Sequence, residues 1–438
     1  MRRLVVCCDG TWESALFQTR TDMLTNVTRL ANAIELRDER GSGCEQVSLY
    51  LPGLGTGEAT LEGALTGALG DGLLDQVRQA YDFLSRNFRA GDEVLLFGFS
   101  RGAYLVRLVL ALVDLVGILD PKTNLHLFPA LFNALCLPIV QGTSRCRRNE
   151  ARRVELLNEV APFVEAQKAA RPGGFLVKVL GVFECVPLLH LPHLPTAPAS
   201  TSSLTPFSTL DEFLEPTVEH VFQALALNER RAPYQAILFE QELDSVRRGQ
   251  GLVQVWFSGC HGDVGGGYTP HDLSDLSLHW LVEQVAPFVA LDFHYLASVS
   301  ASPSAPWGAA SQHEGFHLTS GHERHVPLPL AADLAPSSPA STQYLHPSIL
   351  RQPRSALPRR LRQALAVAHD AGEVLGRGGL WWVLGEWERE VRRRWPSEFE
   401  RARRSGETAG LSEHEGLWRL RLEQVANAGD SPGLSRAR

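Results

Sequence analysis

Apolar residues along this chain follow two alternating rhythms. Leu4-Val5-Val6-Cys7-Cys8 and Val94-Leu95-Leu96-Phe97 are continuous apolar runs, the way a strand reads when both of its faces are covered. Residues 46–51, 175–183 and 252–257 complete the predicted strands, the second being apolar except for Lys178. Between them, Val27, Leu30, Ala31 and Ile34, and then Leu74, Val77, Tyr81, Leu84 and Phe88, recur at three- and four-residue steps, the spacing of amphipathic helices. Helices are predicted over 26–36, around 74–88, and over 103–116, 218–227 and 273–289. Strand and helix in alternation predict an α/β chain, with a mostly parallel central sheet flanked by helices.

Other stretches decorate that frame. Residues 121–171 read as a helical insertion with an Arg-rich solvated face. Residues 187–206 are rich in Pro, Ser, Thr and Leu and read as a loop or a lid. Residues 300–313 and 327–341 are Pro/Ala/Ser-rich and predict exposed loops. From Arg351 the chain is Arg-rich with Trp381, Trp382, Trp387 and Trp395 interleaved, a helical extension whose last dozen residues read as frayed.

The chemistry starts at Gly98-Phe99-Ser100-Arg101-Gly102. Strand, sharp turn and buried helix in that order form the context of a nucleophile elbow. The residues two places either side of the serine must be small, and Gly98 and Gly102 are. Ser100 would then stand at a helix N-terminus, where backbone N–H groups favour negative charge.

A serine hydroxyl needs a base, and the base needs an acid on its far nitrogen. In this topology the chain order is serine, acid, base. Glu184 ends the strand after the elbow unit and His261 lies just beyond the next one, in the glycine-rich loop Ser258–Tyr268. Asp263 competes for the acid role, although it sits only two residues from His261. Cys260 has no elbow to orient it as a nucleophile. An oxyanion hole needs two backbone donors. Arg101 N–H is the first, and Gly10 and Thr11, after the first strand, are the best-placed source of the second, with Asp9 holding their loop. A metal set of Asp9, His261 and Asp263 lacks any fixed ligand spacing, and no cofactor is called for. Pro52–Gly57 misses the dinucleotide fingerprint, because Glu58 stands at the third glycine position and no P-loop lysine follows.

Composition narrows the classes further. A net charge of −7 over 438 residues argues against general nucleic-acid binding. The seven cysteines (7, 8, 44, 136, 146, 185 and 260) form no CxxC pair, which suits reduced thiols in a cytosolic chain. Met1-Arg2-Arg3 mimics a signal peptide, but Asp9 ends the apolar run after about five residues, short of the ~7–15 required. The expectation is a chain soluble in the cytoplasm as synthesised, compatible with export by a route that uses no signal peptide. Oligomeric state is left open.

Together, several motifs carry a resemblance: Asp9-Gly10-Thr11-Trp12, Pro52-Gly53-Leu54-Gly55-Thr56-Gly57, Gly98–Ala103, Gly181-Val182-Phe183-Glu184, Asn228-Glu229-Arg230-Arg231, His261–Tyr268 and His346-Pro347-Ser348. In this order the chain resembles the α/β-hydrolase family that includes the type VI secretion phospholipase effectors, over roughly residues 3–350. The resemblance implies an α/β-hydrolase catalytic domain over 1–350, with the Arg/Trp-rich extension at 351–438. It further implies Ser-Asp-His hydrolysis of carboxylic esters, on phospholipid acyl chains in the effectors. The family pattern at the acid is Gly-Val-Trp-Asp, where this chain has Gly-Val-Phe-Glu184. Gln223 and Asn228 replace charged residues in a stretch read here as a helix, and the effectors' membrane-targeting insertions are not recognisable.

Two functions follow as expectations. The first is a serine esterase or lipase built on Ser100, Glu184 and His261, acting on an ester or lipid substrate with peripheral membrane contact. The second is a catalytically weak protein of the same fold that binds lipid or a protein partner, motivated by positions 184, 223 and 228 and by the Trp/Arg tail.

Overall fold

The computed structural model describes residues 1–10, 23–41, 43–53, 68–141, 146–187, 213–231, 234–313, 343–358, 361 and 382–405. In chain order its main elements are β1 (Arg2–Cys8), α1 (Asn26–Ala33), β2 (Arg37–Asp38), β3 (Cys44–Leu51), α2 (Ala68–Asn87), β4 (Glu93–Phe99), α3 (Arg101–Val116), α4 (Phe128–Gln141), α5 (Cys146–Ala169), β5 (Val177–Phe183), β6 (Val218–Ala226), α6 (Leu243–Arg247), β7 (Gly251–Phe257), α7 (His261–Gly265), α8 (Asp272–Val285), α9 (Phe293–Ser298), β8 (Gln343–Leu345) and α10 (Glu386–Ser405). Among the described residues the strands form one sheet in the order β2-β3-β1-β4-β5-β6-β7-β8. Every pairing is parallel except β2 with β3.

The continuous apolar strands of the sequence are explained by two cores. Leu4, Val6 and Cys8 of β1 face the helices α2, α3, α4 and α5. Val5 and Cys7 face the opposite side with α1, α8, α9 and α10. Alternate side chains go to opposite faces of a strand, so a strand covered on both has no polar period to show. β4 divides the same way, with Val94 and Leu96 in one core and Leu95, Phe97 and Phe99 in the other.

One expectation fails here. Residues 218–227, read as a helix, form β6, hydrogen-bonded between β5 and β7. Val218, Val221, Phe222 and Leu225 happen to recur at helical steps, while burial on both faces removes the alternation that marks a strand. Gln223 is fully buried there and donates to Ile237 O at 2.8 Å. Other differences are smaller. β2 and β8 are too short to register in the pattern. The helix expected over 273–289 ends at Val285, and the one over 26–36 at Ala33. Residues 300–313 are irregular as expected but partly buried, Asp272 accepting from Ser304 N and Ala305 N at 2.8 and 2.9 Å. Residues 188–206, 327–341 and the last dozen lie outside the described residues, as does Thr11.

Two tryptophans of the extension turn inward. Trp387 and Trp395 of α10 are buried in the core beside α8, Trp395 Nε1 donating to Ala305 O at 2.8 Å and Trp387 Nε1 to His279 Nδ1 at 3.0 Å. They are therefore not available to a membrane interface. His346 joins the same interface, bonded through Nδ1 to Ser348 Oγ (2.7 Å) and through Nε2 to Glu388 Oε1 (3.0 Å). The His-Pro-Ser motif thus ties β8 to α10.

The topology also says where a site belongs. From β1 the chain places β3 on one side and β4 on the other, so connections leave β1 and β4 toward opposite faces. Ligands of open α/β sheets bind outside the carboxyl ends of the strands at such a switch point. The residues standing there are Asp9 and Gly10 after β1 and Ser100 after β4.

Candidate active site

Ser100 is held in a conformation few residues adopt. Its φ of 57° and ψ of −122° lie in a region that costs of order 1–3 kcal/mol for a residue with a Cβ. The surroundings enforce it. A Cβ on Gly98 would stand 2.6 Å from Ala103 Cα, and one on Gly102 2.2 Å from Cys8 O, so the turn closes only because both are glycine. Ser100 N donates to Phe183 O at 3.0 Å, which pins the turn to the end of β5. α3 then starts at Arg101, and its leading N–H groups have no intrahelical acceptors.

Glu184 stands directly after β5, also at positive φ (46°), and is completely buried. One carboxylate oxygen, Oε1, accepts from Ala226 N at 2.6 Å. The other, Oε2, meets His261 Nδ1 at 3.2 Å. His261 opens α7, a five-residue helix where the sequence suggested a loop. Its backbone N–H donates to Glu229 Oε2 at 3.1 Å. The imidazole lies against Phe99 (centroids 4.8 Å) and the edge of Tyr234 (4.9 Å). Its second nitrogen, Nε2, is buried without a hydrogen-bond partner. Burial holds the His261 pKa below the ordinary histidine value, against the upward pull of Glu184.

The remaining expected residues divide. Asp9 receives four hydrogen bonds, from Gly10 N (2.8 Å), Thr25 Oγ1 (2.8 Å), Thr28 Oγ1 (2.7 Å) and Tyr50 OH (2.8 Å). It occupies the Gly10 N–H expected as an oxyanion donor; the loop beyond Gly10 lies outside the described residues. Gly10 still lies beside Ser100, since a Cβ there would come 3.3 Å from Ser100 Cβ. Asp263 is committed elsewhere. It accepts from Cys260 N at 2.9 Å and His313 N at 3.0 Å, and bonds His313 Nδ1 at 2.6 Å. Cys260 is buried, and that burial pushes its thiol well up. Among the described residues no group of three or more His, Cys, Asp or Glu side chains could hold a metal ion.

Sequence reasoning gave no role to Glu229, Arg231 and Tyr234. Glu229 binds the Arg231 guanidinium at 2.8 and 2.9 Å; burial alone would raise its carboxyl, but Arg231 brings it down to about 2. Arg231 in turn lies 3.7 Å above the Tyr234 ring. Asn228 pairs with Gly259 through both backbone and side chain, at 2.9 and 3.0 Å. The profile of a family described as "T6SS, Phospholipase effector Tle1-like, catalytic domain" matches residues 2–284, which span every residue of this site except His313. The chain belongs to that family.

Individual relatives are more distant. The uncharacterised protein YEL023C of Saccharomyces cerevisiae is 30% identical over 132 residues, covering 27% of this chain and 18% of that one. The solved Tle1 effector bound to the VgrG spike of the type 6 secretion system aligns with a TM-score of 0.32 and 19% identity, over 61% of this chain and 51% of that one. An uncharacterised protein from Pseudomonas aeruginosa aligns at 0.29 and 15%, over 68% and 46%. This Tle1-like chain thus spans about half the length of the solved relatives or less, and under a fifth of the yeast protein. In it, the Asn-Glu-Arg-Arg stretch sits behind the histidine loop, with Asn228 holding Gly259 and Glu229 holding the first N–H of α7.

Proposed function

We propose that this Tle1-like chain is a serine hydrolase that cleaves carboxylic esters of lipids, phospholipid acyl esters included, with Ser100 as nucleophile, His261 as base and Glu184 as acid. The observation that supports the reading is the buried Glu184–His261 pair (3.2 Å), its imidazole packed on Phe99 of the elbow (centroids 4.8 Å) and its far nitrogen left unbonded. A carboxylate on Nδ1 fixes the tautomer whose Nε2 takes a proton. In the proposed reaction Ser100 Oγ attacks the ester carbonyl as its proton passes to Nε2. The tetrahedral oxyanion is met by the Arg101 N–H at the head of α3. With the Gly10 N–H held by Asp9, Thr11 N–H is the second donor in this scheme. His261 then protonates the departing alcohol, and water repeats the sequence on the acyl-enzyme.

Access to lipid at a bilayer surface belongs to the same proposal. Among the described residues no helix is long and apolar enough to cross a membrane. Association with a secretion spike, as in the solved Tle1 effector bound to VgrG, is a further part of it.

The direct test is covalent. A fluorophosphonate should add to the purified protein once, and peptide mass mapping should place the adduct on Ser100; an adduct elsewhere would overturn the assignment. A pH profile supplies an independent check. The base acts in its neutral form, and burial lowers the His261 pKa below 6.5. Protonation therefore sets in only below that value, and hydrolysis should persist into weak acid. An acidic limb of kcat/KM centred at or above pH 6.5 would contradict the buried-base geometry.

A further inference from the structure

We infer that the Arg101 side chain forms, with the Tyr234 hydroxyl, a subsite for an anionic group of the substrate, the phosphate of a glycerophospholipid, next to the scissile ester. The inference rests on the serine-hydrolase reading and names a specificity element of that same site. Arg101 follows the nucleophile directly, so its backbone and its side chain leave the elbow from one point. The residue is only half-buried, yet its Nε is buried without a hydrogen-bond partner. Among the described residues no carboxylate pairs with it. Its interacting neighbours are the Tyr234 hydroxyl and a like charge, Arg231.

The charge balance is what points to a ligand. Arg231 is neutralised by Glu229, which it grips at 2.8 and 2.9 Å. Among the described residues Arg101 has no such carboxylate; burial, and secondarily Arg231, lower its pKa. A half-buried guanidinium next to the nucleophile, with no carboxylate paired to it among the described residues, is free to take an anion there. Tyr234 links this group to the base, because its ring edge meets His261 at 4.9 Å. Guanidinium takes phosphate through two parallel N–H bonds, and the N-terminus of α3 adds to the same potential.

The test compares dihexanoylphosphatidylglycerol with uncharged dihexanoylglycerol, both below their micelle concentrations. Wild type should prefer the phospholipid, and Arg101→Gln should lower the ratio of the two kcat/KM values by about tenfold to a hundredfold, the worth of a charge-assisted hydrogen bond. Arg101→Lys, which keeps the charge but not the fork, should fall between. Inorganic phosphate, against chloride at equal ionic strength, should slow fluorophosphonate labelling of Ser100 in wild type, an arm that needs no variant. Phosphate protection without any preference for the charged lipid would reassign the subsite to a free anion and overturn its role in headgroup recognition. An unchanged ratio in Arg101→Gln, or no protection by phosphate, overturns the subsite. Failure of the hydrolase reading itself is distinct: wild type would then cleave neither ester and leave Ser100 unlabelled.

Discussion

Ser100→Ala and His261→Ala should each lower kcat/KM on a short p-nitrophenyl ester by roughly 10⁶-fold, and the double variant should be no worse than either single one, because nucleophile and base act as one unit. Without His261 the hydroxyl keeps its proton, and without Ser100 the imidazole has nothing to deprotonate. Residual turnover would come from backbone donors at the head of α3 and from binding alone. The serine change separates chemistry from folding. Ser100 makes no side-chain capping bond to α3, so alanine strands no buried partner, and the strained φ is imposed by the glycines around it. The Ser100→Ala protein should therefore melt close to wild type. His261→Ala also removes a ring packed on Phe99 and Tyr234, and takes the imidazole away from Oε2 of the buried Glu184. It should melt lower while losing no more activity. Losses that add in the double variant would mean that the two residues serve different steps.

Much of this site was legible from sequence because parallel α/β sheets place chemistry at predictable points. Once β1, β4, β5 and β7 were recognised from their apolar runs, the residues just beyond them (Asp9, Ser100, Glu184 and the His261 loop) had to meet at one edge. What stayed illegible depends on side chains brought from far along the chain. Asp9 captures the Gly10 N–H because Thr25, Thr28 and Tyr50 fix its carboxylate, and no local pattern announces that. Asp263 looked like a rival acid until His313, fifty positions on, engaged it. β6 was mistaken because a strand buried on both faces shows no alternation, and with it went the chance to see Glu229 leading off its end toward His261. As a sequence, the Trp/Arg-rich stretch after Arg351 suits a membrane interface, although docking on its own domain is the commoner outcome for such a helix. Only the packing of Trp387 and Trp395 beside α8 separates the two.

Glu184, the acid of the proposed mechanism, stands where the resemblance implies aspartate, and it gives the second large effect. Glu184→Gln should lower kcat/KM by roughly 10⁴-fold, the size of effect seen when a triad acid loses only its charge. The local bonds dictate how. Ala226 N donates to Oε1 at 2.6 Å, so the glutamine oxygen must take that place and its NH₂ must face His261 Nδ1. The imidazole then accepts at Nδ1 and carries its proton on Nε2, the wrong nitrogen for a base. Because Glu184 raises the His261 pKa against burial, the residual activity should also show its acidic limb at lower pH than wild type. Glu184→Asp installs the residue that the resemblance implies, but its carboxylate is one methylene shorter. From a backbone fixed at φ 46° it cannot keep the Ala226 bond and still span the present 3.2 Å contact to His261. Its activity should lie between wild type and Glu184→Gln, with the acidic limb nearer wild type because the charge remains. Were aspartate to exceed glutamate, the longer side chain would be a handicap that this fold tolerates; the Ala226 bond argues instead that β6 and α7 are spaced for glutamate.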